Sequence, residues 1–280
     1  MRAATLALLL AAALPAAASA GVIQPVSVSK SANVPAGETR SLTLACPARA
    51  VALNAAATSS LDATDSIPGA NARRWTFRFT AGATAREASA VLRCVRLQLP
   101  RRVRGVGLAV GTIIEPVFEV PAGSTQRLAI RCPRGELPTG WGLEHRGANS
   151  GLAIAGAVPS RRAWTFTVEN TGASGAAGTL HVRCLERKQR AATGQRHAFS
   201  TRIASFSEQL DGAGTTIRSC RRSEYSVATG VALPAGDDIL MTGTGPIGAR
   251  GGEWTFAQPA GSAAVRTSIV CLARDTSFRR

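Results

Sequence analysis

Six cysteines fall into three pairs that repeat along the chain. Cys46 and Cys94, Cys132 and Cys184, and Cys220 and Cys271 are 48, 52 and 51 residues apart. Inside each interval stands Trp-Thr-Phe, beginning at Trp75, Trp164 and Trp254 and ending at Phe77, Phe166 and Phe256. Pro68, Pro159 and Pro246 precede the three triplets. A triplet recurring at the same place between cysteines marks an internal repeat, each copy being one small structural unit. The repeat therefore selects local bridges, Cys46–Cys94, Cys132–Cys184 and Cys220–Cys271. In the chain-entropy account each closed loop of roughly fifty residues is worth about 4 kcal/mol.

The first two copies agree further upstream, where Pro35-Ala36-Gly37 and Cys46-Pro47 align with Pro121-Ala122-Gly123 and Cys132-Pro133. The third copy diverges, with Gly212-Ala213-Gly214 nearer its cysteine and Arg221 in place of the proline. Between these landmarks apolar residues alternate with polar ones, the period of strands. Trp75, Phe77 and Phe79 share a face, as do Trp164, Phe166 and Val168; Leu42, Leu44 and Cys46 match Leu128, Ile130 and Cys132. Leu92 and Cys94, or Val182 and Cys184, point inward, and Arg93 and Arg183 point the other way.

The expected fold class is all-β: three tandem small β-sandwich modules with one internal disulfide each. Trp75, Phe77, Trp164, Phe166, Trp254 and Phe256 form their cores, and Trp141, outside the triplets, is the more exposed tryptophan. The modules span residues 21–100, 113–188 and 203–280, separated by Arg-rich linkers at 101–112 and 189–202. Asn54, Gly140 and Gly230 mark a recurring turn or bulge, as residues that readily accept positive φ.

Immunoglobulin domains also present Cys, Trp and Cys, but their tryptophan follows closely on the first cysteine, and a tyrosine stands two residues before the second. Here Trp follows by 29, 32 and 34 residues, and the one tyrosine, Tyr225, is not in that place. A sandwich of different topology is expected. The order Cys-Pro, Gly-containing turn, Pro, Trp-Thr-Phe, Cys resembles the repeat module of uncharacterised secreted proteins of high-GC Gram-positive bacteria. Residues 164–172, Trp-Thr-Phe-Thr-Val-Glu-Asn-Thr-Gly, carry the resemblance best. A glycine run usual there after Cys-Pro is replaced by Leu53-Asn54-Ala55 and Thr139-Gly140-Trp141-Gly142. The resemblance implies a secreted structural module and no particular activity.

Residues 1–20 read as a secretory signal peptide: a charge at Arg2, an apolar run over 6–14, Pro15, and Ala18-Ser19-Ala20 for cleavage near Ala20. The run is too short for a transmembrane anchor. A secreted or surface-associated protein is expected, in a compartment where cysteines pair.

Chemistry is sparse. His181 and His197 are read as solvated, and no nucleophile motif accompanies them or His145. Asp62 and Asp65, and Asp237 and Asp238, are placed in loops, and at Asp237-Asp238 a turn or a weak cation contact outweighs a catalytic pair. Cysteine spacing matches no metal site, and no metal or cofactor is expected. The positive signal is charge: 33 Lys and Arg against 17 Asp and Glu give +16, with a pI near 11.4. Lysine occurs only at Lys30 and Lys188, a bias that a GC-rich genome also produces. Arg101, Arg102 and Arg104 in the first linker, and Arg187, Lys188 and Arg190 at the second, are the candidate polyanion contacts. Seven of thirteen aromatic residues belong to the Trp strands, which argues against specific nucleic-acid recognition. The expected function is a noncatalytic secreted β-repeat protein associating with anionic cell-envelope polymers; a loop-built secreted hydrolase or inhibitor is the alternative.

Overall fold

Alternating burial builds the first module. The computed structural model describes residues 22–58, 63–98, 108–114, 116–147, 151–190, 196–234, 240–257, 262–275 and 277–279. Its opening strands are β1 (Val22–Val34), β2 (Thr39–Ala45), β3 (Val51–Ala57), β4 (Ala63–Pro68), β5 (Arg74–Thr80) and β6 (Arg86–Gln98). They form two three-stranded antiparallel sheets, β1-β6-β3 and β2-β5-β4. Trp75, Phe77 and Phe79 face inward from β5 against Leu42 and Leu44 of β2 and Leu92 of β6.

The second module repeats the plan with β7 (Val110–Ile114), β8 (Phe118–Val120), β9 (Thr125–Arg131), β10 (Glu136–Arg146), β11 (Leu152–Pro159), β12 (Ala163–Asn170) and β13 (Ala176–Glu186). β7 and β8 together take the place of β1 beside β13, with β10 on its other side, and β9, β12 and β11 form the facing sheet. Within the 189–202 segment lie β15 (Arg196–Ala198) and most of β14 (Lys188–Arg190), and Gln189, His197 and Phe199 are buried there.

The third module contains β16 (Thr201–Asp211), β17 (Gly214–Ser219), β18 (Glu224–Ala232), β19 (Leu240–Ile247), β20 (Gly251–Ala257) and β21 (Ser262–Ala273). Its sheets are β16-β21-β18 and β17-β20-β19, while β22 (Ser277–Arg279) pairs with β15, which in turn pairs with β14. The described residues thus form an all-β fold without helices.

Each bridge fastens one sheet of a module to the other: Cys46–Cys94, Cys132–Cys184 and Cys220–Cys271, with Cα separations of 5.7, 5.7 and 5.6 Å. Trp75, Trp164 and Trp254 are fully buried. Their indole N–H groups are satisfied by Ser66 Oγ and by the carbonyls of Thr139 and Gly230. Trp141 is half-buried. The third triplet has slid along its strand: Trp75 and Trp164 oppose Leu44 and Ile130, two residues before a cysteine, whereas Gly252 occupies that place in β20. Trp254 stands one pleat further on, opposite Thr216, and so keeps its inward face.

The modules close into a ring. β4 lies against β10, β11 against β18 and β19 against β3, while β3, β10 and β18 all touch one another. At the β11–β18 junction backbone pairing joins two sheets into one of six strands, through Gly156 with Ala232 and Ala157 with Val231. These approaches correct the expected reason for the recurring glycines. Bulges do occur near Leu53, Thr139 and Val227, yet Gly140 and Gly230 do not have positive φ. Glycine is needed for space instead. A Cβ on Gly142 would lie 1.9 Å from the Ser66 carbonyl oxygen, and one on Gly230 would lie 2.5 Å from that of Ala157. Gly142, not Gly140, is therefore the partner of Gly230: each meets the residue two places before a repeat proline. At the third junction Ala56 meets Gly245.

Arg93 and Arg183 do point away from their own sandwiches, as expected, but the next module covers that face. Arg183 Nη2 donates to the carbonyls of Gly69, Asn71 and Arg74 at 2.8, 3.1 and 3.2 Å, with its guanidinium over Trp75. Arg93 donates to Ser27 Oγ at 2.9 Å and to the Gly248 carbonyl of the third module. Burial pushes both guanidinium pKa values down to about 10, so both remain charged at neutral pH. These arginines are latches and do not belong to a solvated patch.

Two substitutions separate core from junction. Trp164→Ala is expected to cost about 3 to 5 kcal/mol by emptying a core site. Gly230→Ala is expected to cost about 1 to 3 kcal/mol by forcing β18 from β11, despite adding a good core residue. Urea denaturation measures both, and an unchanged midpoint for Gly230→Ala would show that the junction does not contribute to stability.

Candidate functional site

The disulfide end of the second module gathers three chain segments around a cavity of about 520 Å³. Gly135, at φ +93°, turns the chain after Cys132-Pro133, and the Glu136 N–H donates to the Pro133 carbonyl at 3.1 Å. The Cys132 N–H reaches the Arg162 carbonyl at 2.9 Å, and the Arg187 N–H reaches that of Gly135 at 2.8 Å. The turn after Cys132, the β11–β12 turn and the end of β13 are thereby held together. They place Arg134, Arg161, Arg162, Arg187 and Lys188 around the cavity with Glu136 and Glu186. All five cations are exposed.

Glu136 and Glu186 are direct cross-strand partners on β10 and β13. Like charges so placed repel. Burial and then the Glu186 charge hold the Glu136 carboxyl above its ordinary pKa. Among the described residues, none of the seven charged groups around the cavity forms an ion pair. The third module offers a direct contrast. Glu224, also four residues after a first cysteine, receives Arg202 in a two-pronged contact of 2.9 and 2.6 Å and the Arg221 N–H at 3.0 Å. The Arg202 hydrogen bond outweighs burial and lowers its pKa. In the first module Ala50 holds the corresponding place.

Of the expected polyanion contacts, the structure brings Arg187 and Lys188 together at this cavity. Arg190 lies on β14, but its side chain is outside the described residues, as are Arg101, Arg102 and Arg104. Arg134, Arg161, Arg162, Glu136 and Glu186 were not among the contacts expected from the sequence. A glutamate four residues after the first cysteine in two of three copies was the available signal.

A second polar cluster lies where the first two modules meet. Asp65 is not in a loop but on β4, buried against His145 of β10. Its Oδ1 accepts the His145 backbone N–H at 2.7 Å and lies 3.2 Å from Nδ1, while Oδ2 accepts Arg78 at 3.1 Å. His145 Nε2 faces the Leu152 carbonyl at 3.2 Å. An acceptor facing each nitrogen favours the doubly protonated imidazolium over the neutral ring. It resembles the orienting half of a catalytic triad, but its second nitrogen is engaged and offers no base.

His181 and His197 are buried, contrary to the solvated reading. Docking of the modules covers the outward face of β13, where His181 lies 3.3 Å from Glu144, and β15 lies in the small sheet with β14 and β22. Asp62, Asp237 and Asp238 lie outside the described residues. Among the described residues the one group with metal-ligand geometry is Cys220, Glu224 and Cys271, whose two sulfurs are already bonded to each other. No helix of the described residues is long and apolar enough to cross a membrane. Comparison of the chain with models of protein families gives no match, and comparison with curated proteins gives none either.

The Asp65–His145 pair makes this junction pH-sensitive. Burial works to lower the His145 pKa, but the Asp65 and Leu152 contacts raise it overall; burial works to raise that of Asp65, but His145 and Arg78 lower it overall. The His145 contribution is therefore full below its ordinary value of 6.5 and is lost as pH rises through the raised value. The Asp65 contribution is full above 3.8 and is lost as pH falls through the lowered value. His181 acts in the opposite sense: burial, helped by Arg146 and Arg183, outweighs Glu144 and lowers its pKa, so stability falls as pH drops below 6.5. Comparing wild type with Asp65→Asn cancels most of that background. The variant is expected to be about 1.5 to 3 kcal/mol less stable near pH 5.5, the worth of a hydrogen bond to a charged group, and the gap should narrow in alkali. A pH-independent gap in urea titrations would remove the ion pair from the energetics of this junction.

Proposed function

We propose that this is a noncatalytic extracellular β-repeat protein that associates electrostatically with anionic cell-envelope polymers, chiefly through the basic cavity of its second module. The observation that carries the reading is the convergence of Arg134, Arg161, Arg162, Arg187 and Lys188 without internal neutralisation. Five cations against two carboxylates leave a local excess of positive charge on a chain of net charge +16. Such a site attracts polyanions at long range, and the guanidinium groups then form charge-assisted hydrogen bonds with phosphate or carboxylate oxygens.

Three further observations support the reading. The disulfides and the signal-like residues 1–20 suit an oxidising compartment, as does the resemblance of the repeat to modules of secreted proteins of high-GC Gram-positive bacteria. Trp141, the tryptophan outside the triplets, packs edge-on against Trp164 and Phe166 at 6.4 and 5.5 Å, so it is no free stacking platform for bases. The engaged Nε2 of His145 favours binding over nucleophilic hydrolysis.

Retention on immobilised polyphosphate and on purified cell wall tests this. Wild-type protein is expected to bind at low salt and to be released as salt rises. Arg161→Glu with Arg162→Glu should weaken binding by about tenfold or more, because charge-assisted contacts become repulsive, without changing the melting curve. Binding that persists undiminished at molar salt, or absence of binding at low salt, would defeat the proposal.

A further inference from the structure

We infer that the second-module cavity selects an amphoteric ligand, an aminoalkyl phosphate whose phosphate meets the arginines and whose ammonium meets Glu136 and Glu186. The inference rests on the anion-binding reading of the same cavity and narrows it to one ligand chemistry. A site made only for anions has no use for two carboxylates, and here they are direct cross-strand neighbours lining the cavity. Each reduces the attraction for an anion and repels the other. An ammonium between them reduces both penalties, since it donates three hydrogen bonds and carries the opposite charge.

The repeat supplies an internal control. At the corresponding position in the third module, Glu224 is neutralised within the fold by Arg202; in the second, Glu136 lines a cavity and forms no ion pair among the described residues. Glu136 is half-buried and held above its ordinary pKa, as expected of a carboxylate awaiting an external cation. Phosphate, rather than carboxylate, suits the other side. One guanidinium satisfies a carboxylate in a two-pronged contact, whereas five cations exceed that need and suit a phosphate group. The cavity, about 520 Å³, accommodates a head-group-sized unit, and its exposed cations allow that unit to be part of a larger molecule.

Calorimetric titration with phosphoethanolamine and with ethyl phosphate, which shares the phosphate but lacks the amine, tests the inference. Wild-type protein should bind phosphoethanolamine about tenfold more tightly, the discrimination expected from a charge-assisted contact. Glu136→Gln should abolish that preference while retaining ethyl phosphate, with an unchanged melting curve showing that the fold is intact. Equal binding of the two compounds by wild type, or a preference that survives in Glu136→Gln, would overturn the inference and leave the anion-binding reading standing. If neither compound binds although polyphosphate does, the selective cavity is again overturned. Failure of polyphosphate itself would instead remove the anion-binding reading. Vesicles of phosphatidylethanolamine mixed with phosphatidylcholine, compared with phosphatidylcholine alone, distinguish the source. Selective capture by the first assigns a lipid head group, and binding of the free compound without vesicle capture assigns an amine-bearing phosphate polymer or soluble ester; both outcomes uphold the ligand chemistry.

Discussion

Close approach of three backbones at the centre of the ring governs the rest of the structure. β3, β10 and β18 are covered on both faces, by their own sandwich and by a neighbouring module, so burial along them is nearly continuous. At the points of closest approach, such as Gly140, Gly142 and Gly230, even a Cβ has no room. Ala52, Ala55 and Ala56, then Gly140 and Gly142, then Ala228 and Gly230, line these strands. The small-residue composition, with 28 glycines and only 5% aromatics, thus follows from how the modules dock as much as from the modules themselves. The tryptophans fill the sandwich interiors, where two sheets face each other, and the small residues make the junctions possible.

Charge is divided by the same arrangement. Arg93 and Arg183 lie at corresponding positions, one residue before the second cysteines, and each crosses to a turn of another module. In the third module Val270 holds that place and belongs to an apolar cluster reaching into the second module. Two junctions therefore use a buried cation with carbonyl acceptors, and the third uses apolar packing with continuous backbone pairing. Arginine suits the first solution because its planar fork spans several acceptors while retaining its charge. A formal charge of +16 accordingly overstates the positive surface, since some arginines act within the fold.

The architecture of each module was legible in the sequence because alternation, cysteine spacing and the repeated triplet all report on local pairing. Leu42, Trp75 and Leu92 behave as their periodicity requires. Contacts between modules were not legible in the same way. Alternation correctly placed Arg183 on the outer face, but nothing in a single strand indicates that another module lies over that face. The same limit applies to His181 and Asp65, polar residues whose partners Glu144 and His145 come from other strands. Even the triplet misleads in one detail: Trp254 matches Trp164 in sequence but stands one pleat away in register, a shift that period-two patterning cannot detect.

Repetition also explains how a site can arise without disturbing the fold. The turn after each first cysteine is fixed by the bridge and by backbone bonds, the Cys46, Cys132 and Cys220 N–H groups reaching the carbonyls of Arg73, Arg162 and Arg250. Side chains on that turn are then free to diverge. Ala50 makes the position part of the core in the first module, Arg202 neutralises Glu224 in the third, and in the second neither solution is used. Two facing carboxylates and a group of cations, each repelling its own kind and unpaired within the described fold, cost stability unless something outside the chain completes them, and this is why the proposed function is assigned to the second module although its scaffold matches the others.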